Sequence, residues 1–171
     1  MDANTFSKAA RKILSLKVED FISKYKDLLP QYGVVGEEEN IAKIIELIGN
    51  NKHYIIVVDK KNRLRGIITY LDVLLMLGGP KATAVFLPLS SIASSLRRIK
   101  VSSDVLPRIS VRKIMEREPH RIKLEETIEE AIDVMEKSHT HYVVVVDKEG
   151  KVKGIITAHA ILRAVLEEMK S

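Results

Sequence analysis

Cysteine and tryptophan are both absent from these 171 residues, and glutamine occurs once, at Gln31. Without a thiol the chain has no disulfide framework and no thiolate metal site. Aromatic residues are scarce, three Phe and five Tyr, too few for the arrays of stacking platforms that line single-stranded nucleic-acid grooves. Apolar runs end after about four to six residues, far short of the roughly 20 that span a bilayer. No glycine-rich phosphate loop, paired catalytic carboxylates or nucleophile elbow is visible, and no group is set up as nucleophile or general base, so a non-enzymatic role is expected. The first residues, with Asp2, Lys8, Arg11 and Lys12, lack the apolar run of a secretory signal. The expected location is cytoplasmic. Missing Cys and Trp together with abundant Lys, Glu and Ile lean toward a thermophilic source.

What is present is a soluble balance, 46% apolar and 30% charged residues, with a net charge of +5. The positive excess is clustered at Lys8, Arg11, Lys12 and Lys17, and again at Arg97, Arg98 and Lys100. Such clusters form solvated helix faces or attract nucleic acid and phosphorylated ligands. Both readings stay open.

The strongest signal is a repetition. "HYIIVVDKKNRLRGIIT" (His53 to Thr69) returns without a gap, 88 residues later, as "HYVVVVDKEGKVKGIIT" (His141 to Thr157), with ten of seventeen positions identical. The β-branched runs lack polar alternation, which suits strands covered on both faces. "DKKN" and "DKEG" are turns with Asn62 or Gly150 where a left-handed residue is wanted. Gly66 and Gly154 in the return strands allow a bulge or close backbone approach. Each phrase is a hairpin.

Upstream of each hairpin the spacing predicts an amphipathic helix: Ile41, Ile44, Ile45 and Ile48 in one copy, Ile128, Ala131, Ile132 and Met135 in the other. Asn40 takes the first cap position, and Thr127 with Glu130 makes a capping box for the second. Before these helices stand short candidate strands, Gly33 to Val35 and His120 to Ile122. After the hairpins, Thr69 opens a helix that Gly78-Gly79-Pro80 stops, and Thr157 opens one whose Ala158, Ile161, Leu162, Val165 and Met169 share a face. One such unit is too small to bury both sheet faces, so two copies packed together are expected.

This duplicated order, with "SVRKIM" (Ser110 to Met115) and "KVEDFI" (Lys17 to Ile22) leading the two copies, resembles the cystathionine β-synthase (CBS) domain pair, or Bateman module. The resemblance implies an α+β fold of two tandem β-α-β-β-α repeats packed as a pseudo-twofold pair. The expected divisions are an N-terminal helical extension over 1–16, with its helix around Phe6 to Leu16, a first repeat over 17–78, a linker over 79–108 and a second repeat over 109–171. "SSIASSLRRI" (Ser90 to Ile99) is a candidate helix within the linker. The first copy carries six extra residues in the region of "KYKDLLPQYG".

The family commonly binds adenosine ligands (AMP, ADP, ATP or S-adenosylmethionine) in two clefts between the copies. By resemblance, Thr69 and Asp72 form the Thr-x-x-Asp motif of the main cleft, the carboxylate accepting from ribose hydroxyls and the threonine facing phosphate. The same pair also fits a helix cap that needs no ligand. The main cleft is expected to be completed by Arg121, Ile122, His141, Tyr142 and Val143, with Arg121 and His141 near phosphate. The second cleft draws on Val34, Val35, His53, Tyr54, Ile55, Thr157 and His159. It has Ala160 where the motif places its carboxylate, and is expected to be weaker. His139, His141 and His159 are read as loop histidines rather than a metal site.

The resemblance implies a regulatory module that senses an adenosine-containing small molecule with no obligatory cofactor, acts on an unidentified regulated protein, and forms a homodimer through helix surfaces such as "LLML" (Leu74 to Leu77). A nucleic-acid-binding protein that uses the basic clusters is the alternative from another class. A third reading is an assembly module with vestigial clefts. No membrane association is expected.

Overall fold

The computed structural model describes residues 3–74 and 109–170. The expected helix stop at Gly78 to Pro80, the candidate helix Ser90–Ile99, the basic cluster at 97–100 and Leu75 to Leu77 lie outside the described residues.

The described chain forms two compact units, and each is built from both halves of the sequence: residues 31–119 make one, residues 1–30 with 120–171 the other. In the first, β1 (Tyr32–Gly36) runs parallel to β2 (Tyr54–Val58), which pairs antiparallel with β3 (Leu64–Thr69). The helix α3 (Ile41–Gly49) makes the crossover, and a helix starts again over residues 70–74. Behind them come α4 (Val111–Ile114) and β4 (Glu116–Arg117), which adds antiparallel to β3 and makes the sheet order β1-β2-β3-β4. In the other unit, α1 (Ala3–Leu14), α2 (Val18–Lys24) and a short 3-10 turn (Lys26–Leu28) accompany β5 (Arg121–Lys123), α5 (Ile128–Ser138), β6 (Tyr142–Val146), β7 (Val152–Thr157) and α6 (Ala158–Glu168). Its sheet order is β5-β6-β7, again parallel then antiparallel. Both copies therefore show the strand-helix-strand-strand-helix order.

The local chemistry accounts for these elements. Asn40 caps α3 by accepting from the backbone of Ala42 and Lys43, and Thr127 and Glu130 complete a reciprocal capping box on α5. In the hairpins Asp59 Oδ1 accepts from the N–H groups of Lys61 and Arg63, and Asp147 Oδ1 from those of Glu149 and Lys151. Asn62 (φ 60°) and Gly150 (φ 78°) take the left-handed turn position. The register shifts once in each hairpin, between Val57 and Val58 and between Val145 and Val146, so Arg65 and Lys153 are the extra bulged residues beside Gly66 and Gly154.

Each leading segment docks in the unit that carries the other copy's hairpin. Val18 donates its N–H to the Glu126 carbonyl (2.8 Å), and Ile128 to that of Leu16 (3.0 Å). The counterpart is the same exchange: Val111 donates to Glu39 (2.8 Å) and Ile41 to Ile109 (3.1 Å). Val18 and Phe21 enter a core with Ile122, Ile128, Val143, Val145 and Ile156, while Val111 and Ile114 enter one with Ile41, Ile44, Ile55, Val57 and Ile68. The extra residues after α2 turn Tyr25, Leu28 and Leu29 onto the first of these cores. There Glu168 on α6 accepts from Lys12, Lys24 and the Tyr25 hydroxyl, and these donors hold its carboxyl down at about 2.

Three expectations shift. On α3 the side chains that meet the core are Ile41, Ile44, Leu47 and Ile48, whereas Ile45 is exposed. The N-terminal helix spans Ala3–Leu14 rather than Phe6 to Leu16, because residues 15–17 turn to meet α5. On α6 the buried face is Ala160, Ile161, Ala164 and Val165, whereas Leu162 is exposed, as is Ala158. The two buried alanines leave room for close packing, and the larger Leu162 is turned outward.

Candidate functional site

Strand register places the predicted residues. Tyr32, Tyr54 and Thr69 form one row across β1, β2 and β3, at the end of the sheet where β3 passes into the next helix. Alternation along the strands puts Val34 on the same face as Tyr54 and Thr69, and turns Val35 and Ile55 to the other face, into the core. Val34 is exposed. The side chains of Val35 and Ile55 are thus packing residues, and only their backbone is left for recognition.

At this end Thr69 and Asp72 grip each other. The Thr69 N–H and hydroxyl both donate to Asp72 Oδ2 at 2.7 Å, and the Asp72 N–H reaches back to Thr69 Oγ1 at 3.4 Å. This is the geometry of a capping box with Asp in place of Glu. It is unusual in its burial: Asp72 is 6% exposed, and it and Thr157 are the buried polar side chains among the described residues. Burial pushes the Asp72 carboxyl above its usual range, against the pull of the two Thr69 donors. Beside it, Tyr70 donates its N–H to the His53 carbonyl (3.2 Å), and the two rings meet edge-to-face with centroids 5.6 Å apart. Burial, with a contribution from Tyr70, raises the Tyr54 hydroxyl.

The other unit repeats the frame with different side chains. Thr157 faces Tyr142 across β7 and β6, and Ala158 donates to the His141 carbonyl at 2.9 Å. Thr157 Oγ1 accepts from the Ala160 N–H at 3.1 Å, and the carboxylate position is filled by the fully buried Ala160. Arg121, His141 and His159 are exposed, and Arg121 stands opposite Val144, on the face of Tyr142 and Thr157. Ile122 and Val143 point into the core. Among the described residues no group of three or more His, Asp or Glu side chains is placed to hold a metal ion, and no helix is long and apolar enough to cross a membrane.

One feature had no sequence signal. An open cavity of about 610 Å³ lies at the opposite end of β2, lined by Glu37 to Glu39, Val58, Asp59, Arg63 and Arg112 among others. Several of its charges pair with one another: Arg112 with Glu38 (2.6 Å) and Glu37 (3.6 Å), and Asp59 with Arg63 (2.8 Å). The residues come from the β1–α3 loop, the hairpin turn after β2 and α4, and no single motif joins them. Tyr70 carries no sequence signal for a different reason: it is one of the two variable residues of Thr-x-x-Asp.

A sequence model of the CBS domain matches residues 18–79 and 111–167. Solved structures with the same fold include CBSX2 from Arabidopsis thaliana, at 18% identity, with 92% of this chain and 99% of that one covered and a TM-score of 0.62. The CBS domain of a membrane protein from Sphaerobacter thermophilus matches at 19% identity over 92% and 93% of the two chains, TM-score 0.64. CBSX2 has been solved in complex with AMP, and the cytosolic domain of the Mg2+ channel MgtE in complex with ATP. The MgtE match has 22% identity and a TM-score of 0.54, and covers 78% of this chain but 45% of that domain. No curated protein matches. With the family's sequence pattern matched twice, over more than half of its length, and the corresponding fold in both units, the chain belongs to the CBS domain family.

Proposed function

We propose that this chain is a non-enzymatic regulatory module that binds an adenosine nucleotide through Thr69 and Asp72. The observation that carries the reading is the buried Asp72 carboxylate, oriented by two hydrogen bonds to a single oxygen. A carboxylate out of water gains most from further donors, and the vicinal hydroxyls of a ribose supply two. AMP-bound and ATP-bound members of the family support the ligand class. The copy with Ala160 offers no equivalent acceptor and is assigned the weaker binding.

A second reading is favoured by the same geometry: Thr69 and Asp72 satisfy each other as a helix cap, which suits an assembly module without a ligand. Calorimetric titration of AMP, ADP, ATP and S-adenosylmethionine into wild type and Asp72→Ala separates the two. Hydrogen bonds to a charged group contribute about 1.5–3 kcal/mol, so Asp72→Ala is expected to weaken binding by roughly 10- to 100-fold. The loss of the cap costs the fold about 1 kcal/mol. Equal affinity in the two proteins, or no binding of any of these ligands to wild type, leaves only the cap.

A further inference from the structure

The end of the sheet around Asp72 carries more aromatic surface than a helix cap requires. Tyr70 follows Thr69 directly, yet its side chain is 52% exposed. Its position is nevertheless defined, because its N–H is tied to the His53 carbonyl and its ring meets the His53 ring at 5.6 Å with 63° between the planes. Tyr54 stands in the next position of the chain after His53, opposite Thr69. The Tyr70 and His53 rings thus meet at the end of the sheet where Tyr54 stands opposite Thr69, the residue that holds the buried Asp72 carboxylate.

The duplication supplies an internal control. His53 and Tyr54 correspond to His141 and Tyr142, but Tyr70 corresponds to Ala158 and Asp72 to Ala160. Ala158 makes the same backbone bond to His141, at 2.9 Å, that Tyr70 makes to His53. The phenol ring is therefore not needed to start the helix. Ring and carboxylate occur together in one copy and are absent together from the other.

We infer that Tyr70 is the specificity-determining residue of the Thr69–Asp72 site, stacking on the aromatic base of the ligand while Asp72 takes the sugar. The inference rests on the reading of Asp72 as the sugar-binding carboxylate. An exposed phenol offers a flat π-surface to a purine, and its contact with His53 restricts the ring beforehand, which lowers the cost of ordering it on binding. The site then discriminates nucleotides from sugar phosphates that present the same hydroxyls and phosphate.

Calorimetry with AMP and with ribose 5-phosphate, on wild type, Tyr70→Ala, Tyr70→Leu, Tyr70→Phe and Asp72→Ala, tests this. Removing a stacking partner is expected to raise the Kd for AMP by about 10-fold or more in Tyr70→Ala. Tyr70→Leu keeps side-chain bulk for the fold and is expected to lose affinity in the same direction. Tyr70→Phe keeps the ring and the affinity, and ribose 5-phosphate binds wild type and Tyr70→Ala alike. Asp72→Ala weakens both ligands. If Tyr70→Ala and Tyr70→Leu bind AMP like wild type while Asp72→Ala does not, the stacking role is wrong and the Asp72 reading stands. Equal weakening of AMP and ribose 5-phosphate in the Tyr70 variants also overturns the base-specific role. Unchanged AMP binding in Asp72→Ala, or none in wild type, removes the reading on which the inference depends.

Discussion

A carboxylate taken out of water is costly unless hydrogen bonds replace what water supplied. Asp72 has both of its Thr69 donors on one oxygen, and burial still holds its carboxyl above the usual range. The equivalent position in the other copy, Ala160, is fully buried and carries no such charge. The sign of the pH dependence follows. A folded-state pKa raised above the unfolded value of 3.8 means that the folded chain holds the proton more tightly. The stability this group contributes is complete below 3.8 and is lost as pH rises through the folded-state value. Asp72→Asn keeps an acceptor for the Thr69 N–H but has no charge to bury. The variant should gain over wild type as pH rises from about 4 toward 8, reaching a few degrees in Tm, the usual scale of such a gain. Thermal unfolding of both proteins across that range checks it. A difference that is flat with pH, or that grows on acidification, would show that Asp72 is not destabilised by its burial.

Secondary elements depend on contacts that differ in range, and β4 shows how. Gly66 in β3 faces the start of β4: a Cβ there would lie 2.7 Å from Met115 Sδ and 2.8 Å from the Glu116 carbonyl oxygen. The sulfur sits on a flexible side chain and can move. The carbonyl belongs to the backbone that pairs Gly66 with Arg117 and cannot yield without loosening that pairing. Gly66→Ala is therefore expected to cost about 1–3 kcal/mol, the range of overpacking in a close-packed interior. Chemical denaturation measures it, and a loss under about 0.5 kcal/mol would mean that β4 is not held against β3. The sequence already marked Gly66 as a place of close approach, as it marked the caps at Asn40 and Thr127 and the turn residues Asn62 and Gly150. All of these are signals read within a few residues. It could not identify what approaches Gly66, since Met115 and Glu116 lie about 50 residues away and carry no complementary pattern. The shifted face of α6 was hidden for a related reason: Ile161, Leu162 and Val165 are all apolar, and only packing decides which turns outward. At the candidate site the motif Thr69–Asp72 was legible. The burial of its carboxylate and the inward turn of Val35, Ile55, Ile122 and Val143 needed the strand register.

At the scale of the molecule, the sequence repeat and the folded unit are different objects. The repeats divide the chain in the middle, whereas each compact unit takes residues from both sides of that division. The leading segments, and α1 ahead of the first, are the reason, since Ile13, Val18 and Phe21 are fully buried in the core built on β5, β6 and β7, and Val111 and Ile114 are buried in the core built on β1, β2 and β3. Sequence similarity cannot reveal this exchange, because two similar hairpins present similar cores to either segment. The consequence is measurable. Burying one such side chain contributes about 1.5–3 kcal/mol, so a fragment over 109–171, without Ile13, Val18 and Phe21, loses roughly 5–9 kcal/mol. A small domain has only about 5–15 kcal/mol in total. The partner fragment, 1–78, loses Val111, Ile114 and the strand β4, and keeps α1 and α2 with no core to cover. Neither fragment is expected to fold alone, and an equimolar mixture is expected to recover both cores. Circular dichroism and thermal melts of the separate and mixed fragments check this directly. A cooperative melt from either fragment by itself would mean that the repeat folds as its own unit, with the exchanged segment contributing little. Recovery only on mixing would make the exchange of leading segments the contact that joins the two halves of the chain into one folding unit.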